Sequence, residues 1–186
     1  MLASAVVMVL ATTVFPQDTS ASVERSVQAA VIDSLFVRDT TRRVVVADST
    51  ISGGSHFVDE DYRSALRMLG KLPAGLQADF QAVRVKRRAI DSLPTKVPLV
   101  RLDAAARAKL RESKDPRAYW MAFYRQFPGT PGQIALSRPG FSRDGRAALI
   151  LVEYGCGRLC GGTLYALLER QAGRWRVTRV AQPRIS

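Results

Sequence analysis

The sequence predicts an α+β fold in which N-terminal helices pack on a C-terminal antiparallel β-meander of about four strands. Three observations carry this reading. Apolar residues recur at helical spacing in most segments up to Phe127; from Gln133 the period falls to two; and the later segments are joined by connections as short as Ala172-Gly173. Connections of that length link only antiparallel neighbours. With 186 residues, 47% of them hydrophobic, the chain can form one domain with its own core, which argues against a separate cofactor domain.

The first segment, Leu2 to Phe15, is apolar and uncharged and is followed by a polar run from Pro16 to Ser22. It has the length of a signal-peptide core and is short for a transmembrane helix, so residues 1–21 are expected to be a secretory signal cut after Ala21 and residues 22–186 the mature domain. The mature chain is expected to have no transmembrane domain and to be periplasmic or extracellular.

Val23, Val27, Val31 and Leu35 then form one stripe of a helix from Ser22 to about Val37. Val44, Val45 and Val46 mark a strand over 43–48. A second helix starts at Asp59, inward at Tyr62, Ala65, Leu66 and Leu69, and closes at Pro73 and Gly75. A third is expected over 76–90. Pro94 and Pro98 bracket a linker, with an edge strand near 97–102. Asp103 caps a short Ala-rich helix, and Asp115 followed by Pro116 starts the next. That helix carries Tyr119, Trp120, Phe123, Tyr124 and Phe127. Aromatics at this spacing could stack on a sugar or base, but more commonly form a core face. The four strands follow at 133–142, 146–154, 163–170 and 174–180. Ala147 to Val152 is apolar on both faces and so belongs in the sheet centre. The helices are expected on one side of the sheet.

Cys156 and Cys160 lie in Gly155-Cys-Gly-Arg-Leu-Cys-Gly-Gly162 between two strands. In an exported chain such a pair is expected to form a disulfide that fixes a hairpin tip. A redox pair ordinarily has two intervening residues at a helix start, and a zinc site needs four ligands. With a single histidine the chain offers few ligands, so no metal and no cofactor are expected.

His56 sits near Asp48, Ser49 and Ser55, from which a small hydrolase can be imagined. No nucleophile elbow accompanies them, and no residue is assigned a catalytic role. The 28 Lys and Arg against 16 Asp and Glu give a net charge of +12, densest at Arg84, Lys86, Arg87 and Arg88. A polyanion-binding module using this cluster is one alternative, an anionic envelope component being its natural partner. There is no specific nucleic-acid motif and no aromatic interleaving, so a solvated helix face accounts for the charge equally well.

The order of landmarks resembles a group of uncharacterised exported bacterial proteins. The matching residues are Val44-Val45-Val46-Ala47-Asp48-Ser49-Thr50, the aromatics Tyr124 to Phe127, Leu136-Ser137-Arg138-Pro139-Gly140-Phe141-Ser142, and the strand from Gly173 to Val177. The resemblance implies export and the α+β fold and brings no activity with it. The expectation is therefore a non-enzymatic protein with a binding or structural role in the bacterial envelope. Its candidate binding residues are Ser137, Arg138 and Ser142, with Arg158 at the glycine-rich tip.

Overall fold

A computed structural model describes residues 21–37, 43–51, 56–112 and 115–185, without the side chains of 56–58. Residues 1–20 of the expected signal segment 1–21 and the loop 52–55 lie outside the described residues. The elements are α1 (Ala21–Leu35), β1 (Val44–Ala47), α2 (His56–Leu69), α3 (Leu76–Arg84), β2 (Leu99–Leu102), α4 (Ala104–Leu110) and α5 (Pro116–Gln126). They are followed by β3 (Gln133–Leu136), β4 (Gly140–Phe141), β5 (Ala147–Gly157), β6 (Cys160–Gln171) and β7 (Arg174–Ile185). No helix among the described residues is long and apolar enough to cross a membrane.

The strands form one mixed sheet in the order β2-β1-β3-β5-β6-β7, with β4 pairing β5 beside β3. From β3 onward every pairing is antiparallel, whereas β1 runs parallel to both β2 and β3. Parallel neighbours need long crossovers, which α2–α3 and α4–α5 supply. The strand expected over 133–142 is broken in two. Pro139 cannot donate to a ladder, and Ser137 bridges the gap: its N–H donates to Leu151 O at 2.9 Å and its Oγ accepts from Leu151 N at 3.0 Å.

Local signals set most helix ends. Asp103 Oδ1 accepts from Ala106 N at 2.8 Å, and Asp115 Oδ1 from Arg117 N at 2.9 Å with Pro116 opening α5. The third helix stops at Arg84, short of the expected Ile90. Beyond it the backbone bonds with the chain leaving β1: Thr50 N donates to Arg88 O at 2.8 Å and Ile90 N to Asp48 O at 2.7 Å. These long-range bonds replace the helical ones.

The expectation of helices on one side of the sheet is corrected. Ala147 to Val152 is buried along its whole length, so both faces of β5 must be covered. On the first face Val27, Val31 and Ile32 of α1 pack on Val46, Leu136, Ile150, Val152, Ala166 and Leu168. On the second face Tyr62, Leu69, Leu76 and Phe80 of α2 and α3 pack on Leu149, Leu151, Tyr165 and Leu167. Phe123 and Phe127 of the α5 segment join Leu110, Leu102 and Val45 on that same face.

Two contacts pin these layers. Glu24 of α1 is 3% exposed, and its carboxylate receives Arg138 at 2.6 and 3.2 Å and Arg88 at 3.0 Å. The two guanidiniums offset the cost of burying that carboxylate. On the other face α3 crosses β4 where Gly140 has no side chain: a Cβ there would lie 2.3 Å from Phe80 Cα. Because the obstacle is backbone, Gly140→Ala is expected to lower stability by about 3 kcal/mol. Urea unfolding measures this, and a loss near zero would show that α3 is free to lift.

Candidate functional site

The strands run through the cysteines, leaving only Arg158 and Leu159 as the turn between β5 and β6. Gly155 faces Gly161 and Gly157 faces Cys160, so Cys156 is an extra residue on its strand, a β-bulge. The Cys156–Cys160 disulfide, with the Cα atoms 5.0 Å apart, ties that bulged residue to the partner strand. The staple expected from the spacing thus holds the tip's register as well as closing it.

The aromatic helix braces the tip from the second face. Tyr124 Oη donates to Cys156 O at 2.9 Å, and burial raises the Tyr124 pKa, which keeps the hydroxyl a donor. Trp120 lies against Gly155, where an added Cβ would come within 3.0 Å of the indole. Gly132, at φ +133°, lets the α5–β3 connection pass under the same strand; a Cβ would lie 2.2 Å from Gly155 O. Phe123 is fully buried and Phe127 nearly so, while Tyr119, Trp120 and Tyr124 are half-buried around them. The aromatic helix therefore forms core rather than a stacking platform.

The first face at the tip is different. Helix α1 ends at Leu35 and leaves a concavity of about 910 Å³ bounded by Leu35, Phe36, Val44, Ile134, Leu164 and Val180. Small-molecule pockets span about 300–1,000 Å³ and combine apolar walls with a few placed polar groups. Here the polar groups are Tyr154 and Gln182, with Gln133 at one edge. Gln182 Nε2 donates to Tyr154 Oη. As acceptor in that bond, Tyr154 keeps its own hydroxyl proton for another partner, and Gln182 keeps its carbonyl oxygen. The ring of Phe36 stands 6.0 Å from that of Tyr154.

The residues expected to bind are dispersed. Ser137 completes the sheet ladder, Arg138 holds Glu24, and Ser142 Oγ accepts from Ala147 N at 2.9 Å and donates to Asp144 at 2.6 Å. Their polar atoms serve the fold; only Arg158 is exposed at the tip itself. The basic cluster points several ways. Arg84 pairs with Asp59 at 2.7 Å and lies over the Tyr62 ring, 5.4 Å from its centre, with its Nε and Nη1 buried and lacking partners among the described residues. Burial pushes the Tyr62 pKa up to about 12. Arg87 Nε reaches Ser49 Oγ at 3.1 Å and Arg88 reaches Glu24, while Lys86 is exposed. The cluster is thus not the single solvated helix face expected of it. The His56 side chain lies outside the described residues, and Asp48 and Ser49 bond each other at 3.1 Å.

Sequence reasoning missed Tyr154, Gln182 and Val180. Alternation places each on a strand face but does not say where α1 ceases to cover that face. Comparison with family models, curated proteins and solved structures finds no match to this chain.

The staple can be weighed directly. Joint replacement Cys156→Ser and Cys160→Ser should lower stability by about 2 kcal/mol, the short closed loop limiting the effect. Urea unfolding of the oxidised parent and the double variant reads the difference, and the parent's intact mass should rise by two hydrogens on reduction.

Proposed function

We propose that this chain is an exported binding protein of the bacterial envelope that holds an apolar small molecule in the groove beside the stapled hairpin tip. The observation that carries this reading is the groove itself, with apolar walls and a Tyr154–Gln182 pair at its polar end. Apolar surface placed there gains about 25 cal/mol per Å². The Tyr154 proton and the Gln182 carbonyl suit a ligand with one hydroxyl or carbonyl end. The apolar N-terminal segment and the disulfide support the exported location.

A binding role fits the groove's chemistry better than catalysis. The polar side chains paired in it are a carboxamide and a phenol, Gln182 and Tyr154, and its cysteines are oxidised to each other. These groups position and recognise a ligand, whereas hydrolysis at neutral pH calls for a base or an activated nucleophile.

Val180 lines the groove and is 45% exposed, so Val180→Arg places a charge in it without disturbing the core. The variant is expected to bind the neutral fluorescent probe Nile red about tenfold more weakly than the parent while keeping the parent's Tm. Equal binding by both would overturn the reading. N-terminal sequencing of the protein recovered from outside the cytoplasm should begin at Ser22.

A further inference from the structure

On the second face, β3 is left uncovered between the two helical layers. Ala135 and its cross-strand neighbour Glu153 floor a cleft of about 370 Å³, walled by Ser49, Arg87, Arg107, Arg111 and Tyr119. Three guanidiniums in one concavity repel one another, and low-dielectric walls concentrate their field. Among the described residues only one of them is answered by a carboxylate. Arg107 donates to Asp48 at 2.9 Å and to Leu102 O at 3.1 Å, and Asp48 also receives Ala104 N at 3.2 Å. Arg87 spends its Nε on the neutral Ser49 hydroxyl.

Arg111 follows Arg107 by one helical turn, a like-charged spacing that destabilises a helix when nothing neutralises it. It makes no ion pair among the described residues. On the floor, Glu153 makes no ion pair with these guanidiniums among the described residues. Loss of water raises the Glu153 pKa; Arg184 opposes that shift and Asp61 reinforces it. Tyr119 Oη donates to Gln133 Oε1 at 2.8 Å, which orders the remaining wall.

We propose that this cleft is a second ligand site, taking the oxyanion of a small molecule, a phosphate or a carboxylate, between Arg87 and Arg111. A guanidinium presents paired donors matched to two oxygens of such a group. The site is a discrete cleft, so the ligand is a small molecule and not a polymer tracked along a basic face. It opens on the other side of the sheet from the apolar groove, the two sharing Gln133, Ile134, Tyr154 and Gly155 of the strands between them.

Isothermal titration at about 150 mM salt, where long-range attraction is screened, tests this with inorganic phosphate and separately with succinate. Saturable binding of either is expected, and the tighter probe assigns the group. Arg111→Gln should weaken that probe about tenfold with no loss of Tm, since Arg111 is exposed and makes no ion pair among the described residues. Arg87→Gln should weaken it similarly, and Glu153→Gln should tighten it several-fold by removing a competing carboxylate. Val180→Arg, in the groove, should leave it unchanged. Absence of saturable binding by both probes, or parental affinity in both arginine variants, would overturn the proposal, as would loss of binding in Val180→Arg, which would place the bound probe in the groove.

Discussion

The structure depends on a strand with no wet side. Ala147 to Val152 is apolar at every position and buried at every position, so each face of the sheet needs a cover. The cover is necessarily incomplete. At 1.5 Å per residue, 15-residue α1 is about 22 Å long, whereas at 3.3 Å per residue 12-residue β6 is about 40 Å. A single helix cannot roof strands of that length, and the uncovered end is the apolar groove. On the other face two helix pairs divide the work, one over β5–β7 and one over β1–β2, and the seam between them is the polar cleft. The groove thus follows from the mismatch between helix rise and strand rise, and the cleft from the sharing of the sheet's width between two helix pairs.

Arginine supplies the fastenings. Arg138 and Arg88 converge on Glu24 and hold α1 on its face. Arg107 ties the start of α4 to Asp48 at the exit of β1, and Ser49, Thr50 and Ile90 knit that exit to the segment after α3. On the outer strand, Arg179 reaches Leu69 O and Lys71 O at the end of α2, and Arg184 pairs with Asp61 at 3.0 Å. The net charge of +12 is therefore partly a set of internal clamps. A multidentate donor that never loses its proton suits that work better than lysine does.

The sequence declared its local features and concealed its long-range ones. Periodicity located α1, α2 and the aromatic helix, Asp103 and Asp115 announced their helices, and the cysteine spacing disclosed the staple. Each of those signals is carried by neighbouring residues. By contrast, the end of α3 at Arg84 is decided by Ser49 and Thr50, far away in the chain. The break in the first meander strand was nearly legible, since Pro139 stood in it, but the use of Ser137 to span the gap depends on Leu151. Ser137, Arg138 and Ser142 looked available because polar residues in a glycine-rich stretch commonly face solvent. In the folded chain Glu24, Leu151 and Asp144 claim them. The groove was invisible for the same reason: Tyr154, Val180 and Gln182 meet Leu35 only through the fold.

The hairpin tip also has a bearing on how the chain reaches this state. Its strands meet across a two-residue turn, and its cysteines are four positions apart, so this pairing closes with little loss of chain freedom. Strand β1 is the opposite case. It must find Leu99 to pair with Val44 and Gln133 to pair with Val45, contacts of high sequence separation that form slowly. The covalent link joins residues that the hairpin alone brings together, whereas Val44, on the groove's wall, is placed by strands drawn from distant parts of the chain. The tip is thus among the cheapest pairings to close and the groove's Val44 wall among the costliest, so the groove is whole only when the entire sheet is.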